Sequence, residues 1–279
     1  MKKYYRLLAG LIVASAVWSA SNALADTAAG IIAAGANGTV TYDNASGAYP
    51  VVTAIYSQPG TVNGRTYTGW AFFVADSTGS IEIYGALPSG SYTPAVGDAV
   101  SITGSYAPYN GTQPEINPVT AITLQSTGNA FPFGLPFFYD NIQQFTNTTG
   151  TLPASNICTA PIIFRNVTLW SDLAGTTPPP AVFNAASGGN TTLYAKDSAG
   201  NVVEAYHWAS SYSDAGKLAG LSIPTGLVSI AGFLSKSSGY APEIGLMELV
   251  GIGPLIGNIP NQYGPTNTIF GPIAFTVSS

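Results

Sequence analysis

The sequence predicts an all-β chain built from two small modules in tandem, and three observations carry that prediction. One pattern occurs twice: FFVADSTGSIEIYG (72–85) with VSITGSYAPYNGTQPEI (100–116), then LYAKDSAGNVVEAY (193–206) with VSIAGFLSKSSGYAPEI (228–244). Eleven positions separate Gly104 from Glu115, and eleven separate Gly232 from Glu243, so the copies share spacing as well as composition. Beyond the N-terminal apolar run no sustained 3.6-residue period exists, while β-branched and aromatic runs bounded by Gly, Pro, Asn and Asp recur throughout. A duplicated unit of this length is one supersecondary module repeated.

The elements follow in order. Lys2, Lys3 and Arg6 precede an apolar stretch, Leu7 to Val17, and Ala23-Leu24-Ala25 offers small residues before Asp26. This is the pattern of a cleaved signal peptide over 1–25, and it predicts an exported chain, secreted or periplasmic. Residues 26–49 read as an ordinary first strand with a loose terminus, or as a strand available for exchange between copies. Module one, 50–125, has expected strands at 51–58, 68–76, 80–85, 99–107 and 119–125. Module two, 161–252, has them at 162–170, 190–197, 202–208, 227–235 and 245–252. Each Asp-Ser-x-Gly joins two strands, the Asp side chain capping the turn and Gly supplying a positive φ. One carboxylate per loop is too few for calcium, so turn chemistry is the reading preferred. Between the modules, 126–160 carries Phe131, Phe133, Phe137, Phe138 and Tyr139. Such a cluster predicts a connector docked on a module, as core or seam, with an exposed aromatic platform as the alternative. After 253 the chain is rich in Gly and Pro and ends in IAFTVSS, a candidate edge strand.

Composition narrows the function classes. Without the leader, five basic residues face thirteen acidic ones, a net of −8. A strong binder of phosphate backbones needs a basic stripe, which is missing here. Cys158 is the only cysteine, so no intrachain disulfide forms, and it reads as a small buried hydrophobe. Roughly 250 remaining residues suffice for two modules that each bury a core.

The pattern as a whole resembles the OB-fold domains of secreted bacterial proteins. The resemblance rests on the strand, the Asp-Ser-x-Gly hairpin, the strand ending in Tyr84-Gly85, then Val96-Gly97-Asp98-x-Val100-x-Ile102-x-Gly104 and Tyr109-Asn110-Gly111-Thr112-Gln113. Gly150-Thr151-Leu152-Pro153 before PIIFRNVTLWS (161–171) is similar to the lead-in of a second such domain. Together these cover about residues 50–252. Module two departs from the pattern, with Pro224-Thr225-Gly226 for Val-Gly-Asp and Ser238-Gly239 for Asn-Gly. The resemblance implies two tandem five-stranded OB-like barrels, of the kind found beside extracellular nuclease and phosphoesterase domains and in stand-alone arrays. It also implies a binding face on strands two and three and the adjoining loops. By position that face offers Trp70, Phe72, Tyr84, Tyr106, Tyr109 and Asn110 in module one. Module two offers Trp170, Tyr194, Tyr206, His207, Trp208 and Tyr240. The ligand-binding set chosen from these is Trp70, Tyr84, Tyr106, Tyr109, Asn110, Tyr206, Trp208 and Tyr240. Trp70 and Phe72 share a face, so they are core together or exposed together.

The expected function is non-catalytic binding of a neutral polymer, a glycan or a protein, because aromatic faces with Asn, Thr and Ser need little charge. A surface or filament subunit assembling through strand edges is the second reading. A single-stranded nucleic-acid accessory is the third, since the same aromatics stack on bases. No cofactor, metal site or membrane span in the mature chain is expected. His207 stands alone, and no nucleophile elbow, phosphate loop or zinc spacing occurs. A carboxylate pair drawn from Asp172, Asp197, Glu204 and Glu243 stays open as catalytic, although the matching positions of Glu115 and Glu243 point to a shared structural role.

Overall fold

A computed structural model describes residues 27–35, 38–43, 47–62, 65–90, 92–132, 137–139, 142, 159–186, 189–208, 218–235 and 243–250. The expected leader, Cys158, Tyr240 and the C-terminal edge strand lie outside these residues.

The chain is all-β and forms two closed five-stranded barrels. Barrel one uses β2 (Val51–Ser57), β5 (Trp70–Asp76), β6 (Gly79–Gly85), β7 (Ala99–Tyr106) and β8 (Glu115–Ser126). A short hairpin, β3 (Gly60–Val62) and β4 (Arg65–Tyr67), lies between β2 and β5. Barrel two uses β10 (Pro161–Trp170), β11 (Asn190–Lys196), β12 (Val202–Trp208), β13 (Val228–Ser235) and β14 (Glu243–Val250). In barrel order, strands run four-one-two-three-five and return to four, and the three–five contact is parallel in both: β6 with β8, β12 with β14. That order is the OB-like topology.

Alternation builds the cores. Phe72, Val74, Ile81, Ile83, Val100, Ile102 and Ile116 point into barrel one. Leu193, Ala195, Val203, Ala205, Ile230, Leu234 and Ile244 do the same in barrel two. The glycine repeated at 104 and 232 marks where strand five crosses strand four. A Cβ on Gly104 would stand 2.5 Å from Ile116 Cγ2, and one on Gly232 would overlap the Gly245 carbonyl. Both pairings shift register there. Strand five begins four residues earlier than expected in barrel one and two earlier in barrel two. Asn117-Pro118 reads as a break in sequence, but Pro118 sits at the register shift, where the ladder is already interrupted.

The N-terminal segment differs from the expected loose terminus. α1 (Ala28–Ala34), capped by the Thr27 hydroxyl, and β1 (Gly38–Tyr42) bury Ala28, Ile31, Val40 and Tyr42 in barrel one. β1 pairs with β7 through Gly38–Tyr106 to Tyr42–Ile102. β10 pairs with β13 in the corresponding register, so β1 and β2 together supply what β10 supplies as one strand. Seven residues were too few to show a helical period in the sequence.

The two hairpin aspartates hold more than their turns. Asp76 Oδ1 accepts from the Thr78 and Gly79 amides at 2.6 and 3.0 Å, while Oδ2 accepts from the Ala28 amide at 2.8 Å. Asp197 Oδ1 accepts from the Ala199 and Asn201 amides, and its Oδ2 accepts from the Ile142 amide at 2.9 Å. Ala28 and Ile142 are both buried in the core of their barrel. Each aspartate thus ties the segment leading into its barrel to the first hairpin. Beside Asp76, the buried Tyr42 hydroxyl is held well above the ordinary phenol range by desolvation and by that carboxylate.

Two described pieces of the connector contact the barrels. β9 (Phe137–Tyr139) runs parallel to β10, and Phe131 packs against Ala75 of barrel one and Ala160, the residue before β10. The barrels meet along a seam. Phe233 lies 4.3 Å from Phe73 and 4.9 Å from Tyr56, centroid to centroid. Ser80 and Thr159 share a hydroxyl hydrogen bond of 3.0 Å, and Ser235 Oγ donates to Gln113 Oε1 at 3.1 Å.

Candidate functional site

The site begins with side chains that alternation turns away from the barrel cores. On β5 and β6 these are Ala71, Phe73, Ala75, Ser80, Glu82 and Tyr84. All but Tyr84 are buried, because barrel two covers them. The strand-two and strand-three face of barrel one, where a binding surface was expected, is therefore largely the inter-barrel seam. Phe233 reaches it because Gly245, its neighbour on β14, has no side chain; a Cβ there would overlap the Phe233 ring.

A pair of carboxyls sits on this face. Glu82 on β6 stands directly opposite Glu115 on β8. Gln113 Nε2 donates to Glu82 Oε2, and Asn117 Nδ2 donates to Glu115 Oε1 at 3.0 Å. Burial and the neighbouring Glu115 push the Glu82 carboxyl up to about 8, against the pull of the Gln113 amide. Burial also raises Glu115. At neutral pH the Glu82 carboxyl therefore holds its proton.

Barrel two repeats the pair. Glu204 on β12 stands opposite Glu243 on β14. The second hairpin has a three-residue loop where the first has two, since Asp197 pairs with Asn201 but Asp76 pairs with Gly79. That extra residue moves the following strand by one position. Glu204 thereby matches Glu82, and Tyr206 matches Tyr84. Four of the five glutamates in the chain form these two pairs, so the arrangement is a property of the repeat. Burial and Glu243 push Glu204 up to about 7.

The surroundings of the two pairs differ. Eleven-residue spacing places Ala241 where barrel one has Gln113, and Gly245 where it has Asn117. Neither position carries an amide side chain. The outer face of β11 and β12 is less covered by the described residues: Asn190 and Thr192 are exposed, Tyr194 and Tyr206 half-buried. Across the sheet, Tyr194, Glu204, Glu243 and Ser235 form one row, and Ser235 continues it through Gln113 to Glu82.

The expected ligand residues divide accordingly. Tyr206 lies on that less covered face, as does the backbone of Trp208. Tyr84 is half-buried at the margin of the seam. Trp70 is half-buried on the rim of the core, edge-on to the fully buried Phe72 at 6.5 Å. Tyr106 is a correction: at 3% exposure it belongs to the core of barrel one, because its position in β7 points inward. Tyr109 is 49% exposed and Asn110 exposed, in a turn closed by Tyr109 and Gln113 with positive φ at Asn110 and Gly111. Among the residues considered beyond that set, His207 turns inward, buried edge-on against Phe183 at 5.2 Å. Of the carboxylates left open for catalysis, only Glu204 and Glu243 meet. Asp197 serves its hairpin, and Asp172 is held low by the Thr177 and Thr176 groups that hydrogen-bond it in its own loop.

Sequence reading missed the Glu82–Glu204 match. The signal that could have found it is Ile81-Glu82-Ile83-Tyr84 against Val203-Glu204-Ala205-Tyr206, visible once the second hairpin is allowed one extra residue. Among the described residues no group of three or more His, Cys, Asp or Glu side chains is placed to hold a metal ion, and no helix is long and apolar enough to cross a membrane. No protein-family model and no curated protein matches the chain.

Proposed function

We propose that the chain is an exported, non-catalytic binding protein whose partner is an uncharged polymer, a glycan ahead of a protein. The supporting observation is the less covered strand-two and strand-three face of barrel two. It combines Tyr194 and Tyr206 with Asn190 and Thr192, and Lys196 is the one basic side chain among its outward positions. Rings of this kind cover an apolar sugar face while hydroxyl and amide groups hydrogen-bond its edge. Lys196 is itself engaged with the Ala174 carbonyl at 3.1 Å, so the face offers little pull on phosphate. The repeat-matched carboxyl pairs favour a structural or recognition role over catalysis.

Co-sedimentation with insoluble cellulose, chitin and starch tests this reading, alongside anisotropy titration of single-stranded DNA at low salt and at ~200 mM salt. Retention on one polysaccharide without salt-sensitive DNA binding is the expected result. Salt-sensitive DNA binding with no retention on any polysaccharide would refute it.

One observation favours the second reading, a subunit that assembles through strand edges. From Thr120 to Ser126, β8 pairs with β7 alone among the described residues, and it is mostly exposed. Oligomers growing with concentration in light scattering would support that reading.

A further inference from the structure

We propose that β8 joins two copies of the chain as a closed dimer, the stretch Thr120–Ser126 of one copy pairing antiparallel with the same stretch of the other about Thr123. The inference does not depend on the ligand proposed above. It also goes beyond strand-edge assembly in general, because here the edge closes on itself, whereas a filament needs an edge that propagates.

Glu115 and Ile116 take up the parallel pairing with β6, and beyond them β8 runs on along β7 alone among the described residues. Every residue from Thr120 to Ser126 is exposed except the half-buried Ile122, and Leu124 is 39% exposed. A strand in that position turns backbone amides and carbonyls outward at alternate residues. Folded chains blunt such an edge with charge, proline or a bulge. Barrel two carries two of these devices at and just after the matching strand. There the residue opposite Ala231 is Glu248, and the sequence runs on into Gly251, Gly253 and Pro254. In barrel one the residue opposite Thr103, the repeat match of Ala231, is Ala121, and Thr120–Ser126 carries neither charge nor proline. From Ala121 to Leu124 the ladder with β7 is also unbroken, its register shifts falling on either side.

An uncharged strand meets its own copy without repulsion. The pleat admits only registers that pair residues of the same face. Pairing about Thr123 sets Ile122 of each copy opposite Leu124 of the other, and so covers both exposed leucines. Ile122 already packs on the core of barrel one, so the contact extends that core across the axis. The sheet β1–β7–β8 then continues into β8–β7–β1 of the second copy. Both copies use the same edge, so assembly stops at two.

The test is sedimentation velocity on the purified chain from about 5 to 500 µM, a range that brackets a weak homodimer with a small interface. The weight-average mass of the wild type should rise to twice that of the monomer and level off. Thr123→Lys sets two like charges opposite each other and should keep the chain monomeric throughout. Circular dichroism checks its fold, and Tyr109→Ala, on the turn before β8, should dimerise as wild type does. In a Cys158→Ser background, oxidation should join Thr123→Cys chains into a disulfide dimer, because antiparallel partners stand ~5 Å apart. Gln125→Cys should stay uncrosslinked, since its two copies would be about four residues out of register, or ~13 Å. A wild type that stays monomeric, a folded Thr123→Lys that still dimerises, a mass that grows past two copies without a plateau, or crosslinking at Gln125→Cys but not at Thr123→Cys would each overturn the proposal.

Discussion

Glu82→Gln removes one carboxyl from the sealed pair of barrel one and preserves its shape and its ability to accept from Gln113. The carboxyl of Glu82 is ordinarily half-ionised at 4.5, but in the fold it holds its proton to about 8. Between those values the folded protein binds a proton that the unfolded chain has released. Stability due to this group is therefore greatest near pH 4.5 and below, falls as pH rises, and levels off above about 8. At ~1.4 kcal/mol per pH unit, that window sets a ceiling of roughly 5 kcal/mol. Glu204 acts in the same direction up to about 7, but it does so in wild type and variant alike and cancels on subtraction. Urea unfolding at pH 5 and pH 9 measures the effect. The wild type should lose roughly 2–5 kcal/mol over that interval, and Glu82→Gln should recover at least about 2 kcal/mol of the loss at pH 9. Equal pH dependence in the two proteins would refute the claim that burial beside Glu115 keeps the proton on Glu82.

Three further outcomes follow from the same geometry. Phe233→Ala should cost about 3–5 kcal/mol, because the ring is buried against Phe73 and Tyr56, and it should increase the radius of gyration in X-ray scattering as the seam loosens. Asp197→Ala leaves the Ile142, Ala199 and Asn201 amides without their acceptor and should cost about 2–4 kcal/mol; hydrogen exchange should quicken at Ile142 while Ala28, held by Asp76, keeps its protection. Tyr109→Ala, on an exposed turn, should leave the urea midpoint within about 0.5 kcal/mol of wild type, and a larger loss would mean the ring is packed rather than presented.

Much of the fold was legible. β-Branched and aromatic runs bounded by turn residues placed all ten barrel strands, since such side chains fit a pleated, half-buried surface. The repeated Gly and the eleven-residue spacing to Glu115 and Glu243 marked the duplication, while the early start of strand five at those glutamates was not read. The first strand was only partly legible, because β1 and β2 are separated by 43–50 where β10 is continuous, and α1 is too short to show a period. The site was less legible. An ungapped comparison sets Glu204 beside Ile83, and one extra turn residue was enough to hide its match to Glu82. Tyr106 was assigned to the binding face by its position in the OB-like pattern, yet the pleat turns it inward.

The sequence by itself determined the all-β class, the duplication and the hairpins, because these depend on local periodicity and turn chemistry. Only the tertiary structure decided which outer face is covered. Phe73 and Tyr194 occupy the same repeat position and carry rings of similar size, yet one lies under Phe233 and the other at the surface. That difference depends on a contact between residues 160 positions apart, on the bare Gly245 that lets Phe233 lean outward, and on the Gln113–Ser235 bond across the seam. Burial of an outer face is set by what packs on it from elsewhere in the chain, and a strand's own alternation carries no record of that.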